Sequence, residues 1–292
     1  MRKNRGEKDR FREIVSAVHG GVRPPPSVVR KSMARLRRTI LEREKQQSVL
    51  RDEFAAIARK INAPIFDVLK SDPRSKEGLK ALQKLRRNRK PSLPALPKAP
   101  KFQSGIGTGS IYSYLGQPYF HWAIGDHAQL AQAEPDGNLH GIVHPNGGGG
   151  WVWCGVGLAF RPLFANTLVA IQPIMPYAFH WWGIGSWGFT AHTEGSLGVY
   201  VYEYDLSWSF RRSETFRTPI WKHTTETGYS ESGSATKSDR IALFMRSDSN
   251  YMVWATLEIY CNDSKGSWFG SSDAYGEMQA QCPVIVFAQF PH

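Results

Sequence analysis

Residues 199–210 read VYVYEYDLSWSF, and this stretch decides the fold class. Aromatic or large apolar side chains occupy every even position from Tyr200 to Phe210, whereas the odd positions begin with valine and turn polar from Glu203. A period of two places successive side chains on opposite faces of a pleated strand. The stretch therefore predicts a half-buried antiparallel strand whose aromatic face is explained first by core packing.

The chain after Lys101 contains further strand-like runs separated by Gly, Pro, Asn and Ser clusters. Ten strands and no helix are predicted there: Ile111–Leu115, Tyr119–Ile124, Trp151–Phe160, Thr167–Gln172, Tyr177–Trp182, Trp187–Thr193, Leu197–Phe210, Arg240–Arg246, Tyr251–Cys261 and Pro283–Gln289. Many short strands with turn signals between them indicate a β-sandwich of the jelly-roll or immunoglobulin-like kind.

Three local predictions are more specific. Residues 251–261 alternate, which places Val253 and Ile259 on one face of a strand. The turn at 248–250 predicts a tight hairpin that returns this strand to the run at 241–245. The Ser-rich segment 228–237 is predicted to be a polar loop.

Charge divides the chain into two parts near residue 101. Residues 1–101 hold 28 Lys and Arg against 10 Asp and Glu, a net charge of +18, whereas the remainder holds 9 against 15, a net charge of −6. All 10 Trp and all 11 Tyr lie in the acidic part. A change of this size indicates two separately built regions. We predict an α+β chain with a basic helical arm at 1–90, a polyproline linker at 91–101 and an all-β sandwich at 102–292.

Apolar residues in the arm recur at spacings of three and four. They are Val29, Met33, Leu36, Ile40, Leu50, Phe54, Ile57 and Ile61. A seam that repeats every seven residues is typical of a coiled coil. We therefore expect this long helix to pack against another helix, either from a second subunit or from the same chain.

The densest basic cluster of the arm comprises Lys84, Arg86, Arg87, Arg89 and Lys90. Such a cluster is suited to neutralising phosphates and releasing their counterions. A solvated helix end, where cations complement the helix dipole, explains the same residues without a partner. The arm has no Trp or Tyr to stack on bases, so nucleic-acid binding here is expected to be independent of sequence.

Proline recurs every third residue between the arm and the β region. Pro91, Pro94, Pro97 and Pro100 follow the period of a polyproline II helix. This pattern predicts a semi-rigid spacer.

Five tryptophans form a candidate ligand or partner surface: Trp151, Trp153, Trp181, Trp182 and Trp187. They stand close to glycines, which have no side chain to cover the rings, and such exposed flat rings are suited to stacking on sugar rings or on a partner protein. Packing inside a sandwich is the simpler explanation of the same residues.

Four histidines are candidate metal ligands: His121, His127, His140 and His144. Imidazole is a common zinc ligand, but the spacing matches no known zinc motif. Structural hydrogen bonds or surface positions explain them equally well. No nucleophile, carboxylate pair or phosphate-binding loop stands out, so the sequence indicates no catalytic residue and no cofactor.

Cys154, Cys261 and Cys282 lie in apolar runs at no metal-like spacing. We interpret them as buried thiols in a reducing compartment, with a disulfide between Cys261 and Cys282 as the alternative. There is neither a secretory signal nor a run of 18 apolar residues. We expect a protein that is cytoplasmic in the producing cell, is part of a particle, or is exported without a signal peptide.

These features favour a non-enzymatic assembly or interaction protein. The basic arm would form a homo-oligomer or larger assembly, or dock on non-specific nucleic acid or another polyanion, while the β region presents an aromatic surface. The first alternative is a carbohydrate-binding or toxin-like module that contacts a glycan through the tryptophans. The second is a metal-dependent enzyme that uses the four histidines.

Overall fold

A computed structural model describes residues 23–42, 45–46, 93–98, 106–107, 110–115, 120–185, 189–225, 227–263 and 272–290. These residues form a helix, α1 (residues 26–42), and fourteen strands. The strands are β1 (Ile106–Gly107), β2 (Ser110–Leu115), β3 (Phe120–Asp126), β4 (Ala128–Ala133), β5 (Asn138–Val143), β6 (Gly148–Phe160), β7 (Thr167–Ile184), β8 (Ala191–Asp205), β9 (Phe210–Thr225), β10 (Gly228–Lys237), β11 (Ile241–Met245), β12 (Ser249–Asp263), β13 (Asp273–Gln281) and β14 (Val284–Phe290).

The strands form two antiparallel sheets whose inner faces pack together. The nine-stranded sheet has the order β1-β2-β14-β7-β13-β5-β4, and β10 and β11 pair with the other edge of β7. The five-stranded sheet has the order β3-β6-β12-β8-β9. Aliphatic and aromatic side chains from both sheets fill the space between them, among them Ile171, Trp181, Val199 and Val253. The predominance of antiparallel strands agrees with the sequence prediction.

Strand β8 carries the alternating stretch and is buried on both of its faces. Val199 and Val201 point into the space between the sheets. Tyr200, Tyr202 and Tyr204 lie on the outer face of the five-stranded sheet, where each is at most 3% exposed. The prediction of a half-buried strand is therefore wrong, because a helix covers the aromatic face.

That helix is α1, which lies on the outer face of the five-stranded sheet. Leu36 and Ser32 are fully buried, and the indole N–H of Trp254 donates a hydrogen bond to the Ser32 hydroxyl at 3.0 Å. The guanidinium of Arg35 stands 3.7 Å above the centre of the Phe210 ring, a cation–π contact. In its described part, the apolar seam predicted to form a coiled coil packs on a sheet of the same chain. A seven-residue repeat specifies an apolar stripe on a helix but does not specify what covers it.

Strand β8 ends at Asp205, earlier than predicted. The Asp205 carboxylate accepts hydrogen bonds from the Ser207 hydroxyl at 2.6 Å and from the Ser209 N–H at 2.8 Å. Trp208 adopts a φ of 66° in the same turn. Phe210 therefore begins β9, and the two strands form a hairpin.

The predicted hairpin between residues 241–245 and 251–261 is wrong. The turn at 247–248 exists, but β11 pairs with β7 in the nine-stranded sheet, whereas β12 pairs with β6 and β8 in the five-stranded sheet. The turn therefore carries the chain from one sheet to the other. The alternation within β12 is confirmed, since Val253 and Ile259 both face the space between the sheets.

Two further predictions are corrected along one edge of the nine-stranded sheet. The separate strands predicted on either side of Pro173 form the single strand β7, which continues through both Pro173 and Pro176. The segment 228–237, predicted to be a loop, is the edge strand β10. Side chains on both faces of β10 are largely exposed, so its sequence has no apolar alternation by which to recognise it.

The three cysteines are free and buried, as predicted. Burial raises the pKa of the Cys154 thiol to about 12 and raises that of Cys261 well above its ordinary value. Within the described residues, no helix has the length and apolar character needed to cross a membrane.

The packing of α1 predicts a difference between two leucines of that helix. Leu36 is fully buried against the sheet, whereas Leu41 is 42% exposed. Leu36→Ala should lower the free energy of unfolding by about 2–5 kcal/mol, because it leaves a cavity, and Leu41→Ala should change it by less than about 0.5 kcal/mol. Urea unfolding followed by tryptophan fluorescence measures both. Equal effects of the two substitutions would show that α1 does not pack as described.

Candidate functional site

A cleft opens where the two sheets part at one edge. On that side β9 is the edge of the five-stranded sheet, while β10 and β11 form the edge of the nine-stranded sheet. Lys237 pairs with Met175 and Ile241 pairs with Ile171, so residues 238–240, which belong to neither strand, fall opposite residues 172–174. Pro173 has no N–H to donate at that position, which weakens the ladder there. The gap in the edge strand gives access to the space between the sheets.

This edge cleft has a volume of about 480 Å³. That value lies within the range of roughly 300–1,000 Å³ common for small-molecule sites. Its apolar lining comes from both sheets and comprises Pro173, Met175, Leu197, Val199, Phe216 and Ile241. Its polar lining includes Thr215, Arg217, Thr218, Lys237, Asp239 and Arg240. With as many polar as apolar side chains, the cleft is more polar than the usual site for a small apolar ligand.

The polar groups of the edge cleft form a connected set. The Lys237 ammonium lies 3.1 Å from the Asp239 carboxylate, which also accepts a hydrogen bond from the Thr218 hydroxyl. Partial burial alone would raise the pKa of Asp239, but the Thr218 hydrogen bond and the Lys237 charge lower it below its ordinary value. The cleft therefore presents a carboxylate, an ammonium and a hydroxyl within one hydrogen-bonded group, which offers both donors and acceptors to a ligand.

Aromatic rings line the same edge of the molecule. Tyr177 stacks on Phe179 with ring centres 6.3 Å apart, and Phe179 stacks on Trp221 at 5.3 Å. A side chain at Gly233 would begin 2.9 Å from the Phe179 ring, so the glycine makes room for that ring beside the edge strand. The charge of Lys237 acts on the phenol of Tyr177, although burial dominates and raises the pKa of that tyrosine.

The row of rings continues towards one end of β10. His223 and Tyr229 stack with centres 4.7 Å apart, and Trp181 lies 4.9 Å from His223. Tyr229 is 48% exposed, whereas Trp181 is 1% exposed. The exposed Tyr229 ring therefore packs on His223 and on the buried Trp181.

Positive charge in the β region is concentrated on this side. Seven of the nine Lys and Arg after residue 101 lie between positions 210 and 246, together with four Asp and Glu. The local net charge is thus +3 in a region whose total is −6. Most of these cations are paired with carboxylates outside that segment: Arg211 and Arg212 with Glu203, Arg217 with Glu194 and Glu258, and Arg246 with Asp248.

The structure places four of the five predicted tryptophans out of solvent. Trp151 and Trp153 are covered by α1, and Trp181 lies between the sheets. Trp182 is on the outer face of the nine-stranded sheet, where it stacks on Tyr275 at 5.7 Å and is 5% exposed. Trp187 lies outside the described residues. The four described rings do not form one exposed surface, because they belong to three different packing layers.

The four predicted histidines occupy separate positions. His121 is exposed on β3, and His127 lies in a turn with a φ of 50° and a largely exposed side chain. The imidazole of His140 lies 3.0 Å from Glu277, and that of His144 lies 3.0 Å from Asp273. The described residues contain no group of three or more His, Cys, Asp or Glu side chains arranged to hold a metal ion.

The predicted polyanion-binding cluster of Lys84, Arg86, Arg87, Arg89 and Lys90 lies outside the described residues, as do residues 91–92 and 99–101 of the predicted linker. The oligomeric assembly expected from the arm therefore stays a prediction.

Sequence reasoning missed Phe216, Lys237 and Asp239 as site residues. Two signals pointed to them: the clustering of cations between positions 210 and 246, and the prolines at 173 and 176 in an otherwise strand-like run. Neither signal shows by itself that the two segments face each other.

No family model matches the chain, and no curated protein matches it. A bacteriophage CBA120 tailspike protein 4 domain aligns with 61% of this chain and 19% of its own length, at 8% identity and a TM-score of 0.23. A carbohydrate-binding module from the β-sandwich superfamily aligns with 64% of this chain and 56% of its own, at 11% identity and a TM-score of 0.17.

An infectious bursal disease virus structure aligns with 67% of this chain and 41% of its own, at 13% identity and a TM-score of 0.21. In all three comparisons the alignment spans less than two thirds of the known chain. At these TM-scores the similarities carry no argument about fold or function.

A buried carboxylate at one end of the sheets predicts how stability depends on pH. Asp263 is 4% exposed, and burial raises its pKa to about 6, even though it accepts a 2.7 Å hydrogen bond from the Gly147 N–H. An acid whose pKa is raised by folding stabilises the fold below its unfolded pKa, near 4, and that contribution is lost as the pH rises through about 6. The folded and unfolded pKa values differ by about 2 units, and each unit is worth about 1.4 kcal/mol, so the free energy of unfolding should fall by on the order of 2–3 kcal/mol.

Asp263→Asn should therefore unfold at higher urea concentration than the parent protein at pH 8 and at the same concentration near pH 4. The amide keeps an acceptor for Gly147 but carries no charge. The control is Asp248→Asn, since the Arg246 hydrogen bond lowers the pKa of that exposed carboxylate and neutralising it should destabilise at pH 8. If both variants shifted the unfolding urea concentration at pH 8 in the same direction, the raised pKa assigned to Asp263 would be contradicted.

Proposed function

We propose that this protein binds a glycan in the edge cleft. The observation that carries the proposal is the cleft itself, in which an apolar floor that includes Phe216 meets the hydrogen-bonded group of Lys237, Asp239 and Thr218. Sugar rings have apolar C–H faces that pack on aromatic rings, and hydroxyl rims that need both donors and acceptors. The cleft offers an aromatic ring together with hydrogen-bond donors and acceptors.

The order of the strands supports a jelly-roll fold for this binding domain. When β10 and β11 are counted as one interrupted strand, the eight strands from β5 to β13 are arranged as 1-8-3-6 in one sheet and 2-7-4-5 in the other. This is the arrangement of a double-sheet jelly roll, an architecture that includes lectin domains. Architecture alone does not assign function, so the proposal rests on the cleft.

The charge of the edge favours a sugar that carries a carboxylate. Two cations of the cleft lining, Lys237 and Arg240, stand against one carboxylate, Asp239. A carboxylate can accept hydrogen bonds from an ammonium or a guanidinium, which are about twice as strong as neutral ones. Uronic-acid or sialic-acid oligosaccharides are therefore the first ligands to test, with neutral oligosaccharides beside them.

The proposal predicts glycan binding by the full-length protein and its loss on Lys237→Met. We expect the parent protein to bind at least one oligosaccharide on a glycan array. In calorimetric titration with that oligosaccharide, Lys237→Met should bind at least tenfold more weakly than the parent, because a charge-assisted hydrogen bond is worth about 1.5–3 kcal/mol. Lys222→Met is the matched control, because its ammonium is 68% exposed on β9 and is not among the residues that line the cleft. An array with no bound glycan, or equal losses in the two variants, would overturn the proposal.

A further inference from the structure

Helix α1 has a second face, which points away from the sheet. Four cations on it are exposed: Arg30, Lys31, Arg37 and Arg38. At 100° per residue these four fall within an arc of about 120°, whereas the buried residues from Val28 to Ile40 fall on the opposite side. We call the four residues the basic ridge.

The ridge is regular as well as charged. Arg30 and Lys31 form one pair, and Arg37 and Arg38 form a second pair seven residues later. Two helical turns separate the pairs by about 10.5 Å along the axis and bring them to nearly the same side. No carboxylate of the described residues forms an ion pair with any of the four.

The position of the ridge is fixed by the buried side of the helix. Leu36 is fully buried, Ser32 accepts a hydrogen bond from Trp254, and Arg35 is held over Phe210. A cationic surface fixed to a folded domain loses less conformational freedom on binding than the same residues on a free chain would. This distinguishes the ridge from a merely basic sequence.

We propose that the basic ridge is a docking surface for the phosphate backbone of a nucleic-acid duplex. Three of its four cations are arginines, whose planar guanidinium groups match phosphate oxygens in pairs. A duplex presents one negative charge per roughly 1.7 Å of its axis, so an extended row of cations meets several phosphates at once.

The residues of the ridge also limit what kind of recognition is expected. The helix carries no exposed aromatic side chain on which unpaired bases could stack, so binding depends on the backbone and not on base sequence. The sequence after α1 is also basic, with 16 Lys and Arg against 6 Asp and Glu from residue 43 to residue 101.

The test compares full-length variants of equal net charge. Fluorescence anisotropy with a labelled 20-base-pair DNA duplex, and with the matching RNA duplex, should show binding that weakens steeply with salt. The Arg30→Gln, Arg37→Gln double variant should bind at least tenfold more weakly at 50 mM salt and reduce the slope of log affinity against log salt by about two. Both changed side chains are exposed, so the fold should be kept.

The control double variant is Lys222→Gln with Arg246→Gln, which removes two exposed cations from the β region. It should change duplex affinity less than twofold. Equal losses in the two double variants would show that only total charge matters and would overturn the proposal. Retention on heparin or on phosphatidylserine vesicles without any duplex binding would also overturn it. Glycan binding by the edge cleft is unaffected by either outcome, since the two surfaces share no residue.

Discussion

The fold depends on covering an aromatic sheet face. The outer side of the five-stranded sheet carries tyrosine and tryptophan side chains from β6, β8 and β12, and α1 removes them from water. An uncovered apolar patch of this kind would promote association between molecules. The indole of Trp254 also needs a hydrogen-bond partner once it is buried, and Ser32 of α1 supplies one. The helix and the sheet thus satisfy each other's apolar and polar requirements.

Covering that face determines where a ligand can bind. The inner faces of both sheets pack on each other and α1 occupies part of one outer face, so the tryptophans noted in the sequence act mainly in packing. One opening in the described part of the chain is at the edge, between β9 and the interrupted β10–β11 edge. Pro173, which has no backbone N–H, lies opposite this interruption. The candidate site is thus at a break in an edge strand and not at an aromatic cluster.

The sequence predicted the features that depend on local periodicity. The alternation in β8 and β12 correctly assigned strands, because both have strong apolar patterns, whereas the division of the chain at the charge break stays a prediction. The predictions that failed concern contacts between residues that are distant in the sequence. The repeat through Leu36 predicted an apolar stripe on a helix but not the sheet that packs against it. The turn at Asp248 predicted that the chain reverses direction but not that it passes from one sheet to the other. Lys237 was assigned to a loop because its edge strand has no apolar side.

The most direct test of the account is to locate a bound glycan on the full-length protein. Hydrogen–deuterium exchange should be measured with and without a saturating oligosaccharide from the array. We predict protection confined to the strands that line the cleft, at residues 215–218 and 237–241. Protection centred instead on Trp182 and Tyr275, on the outer face of the nine-stranded sheet, would contradict the assignment of the edge cleft as the binding site.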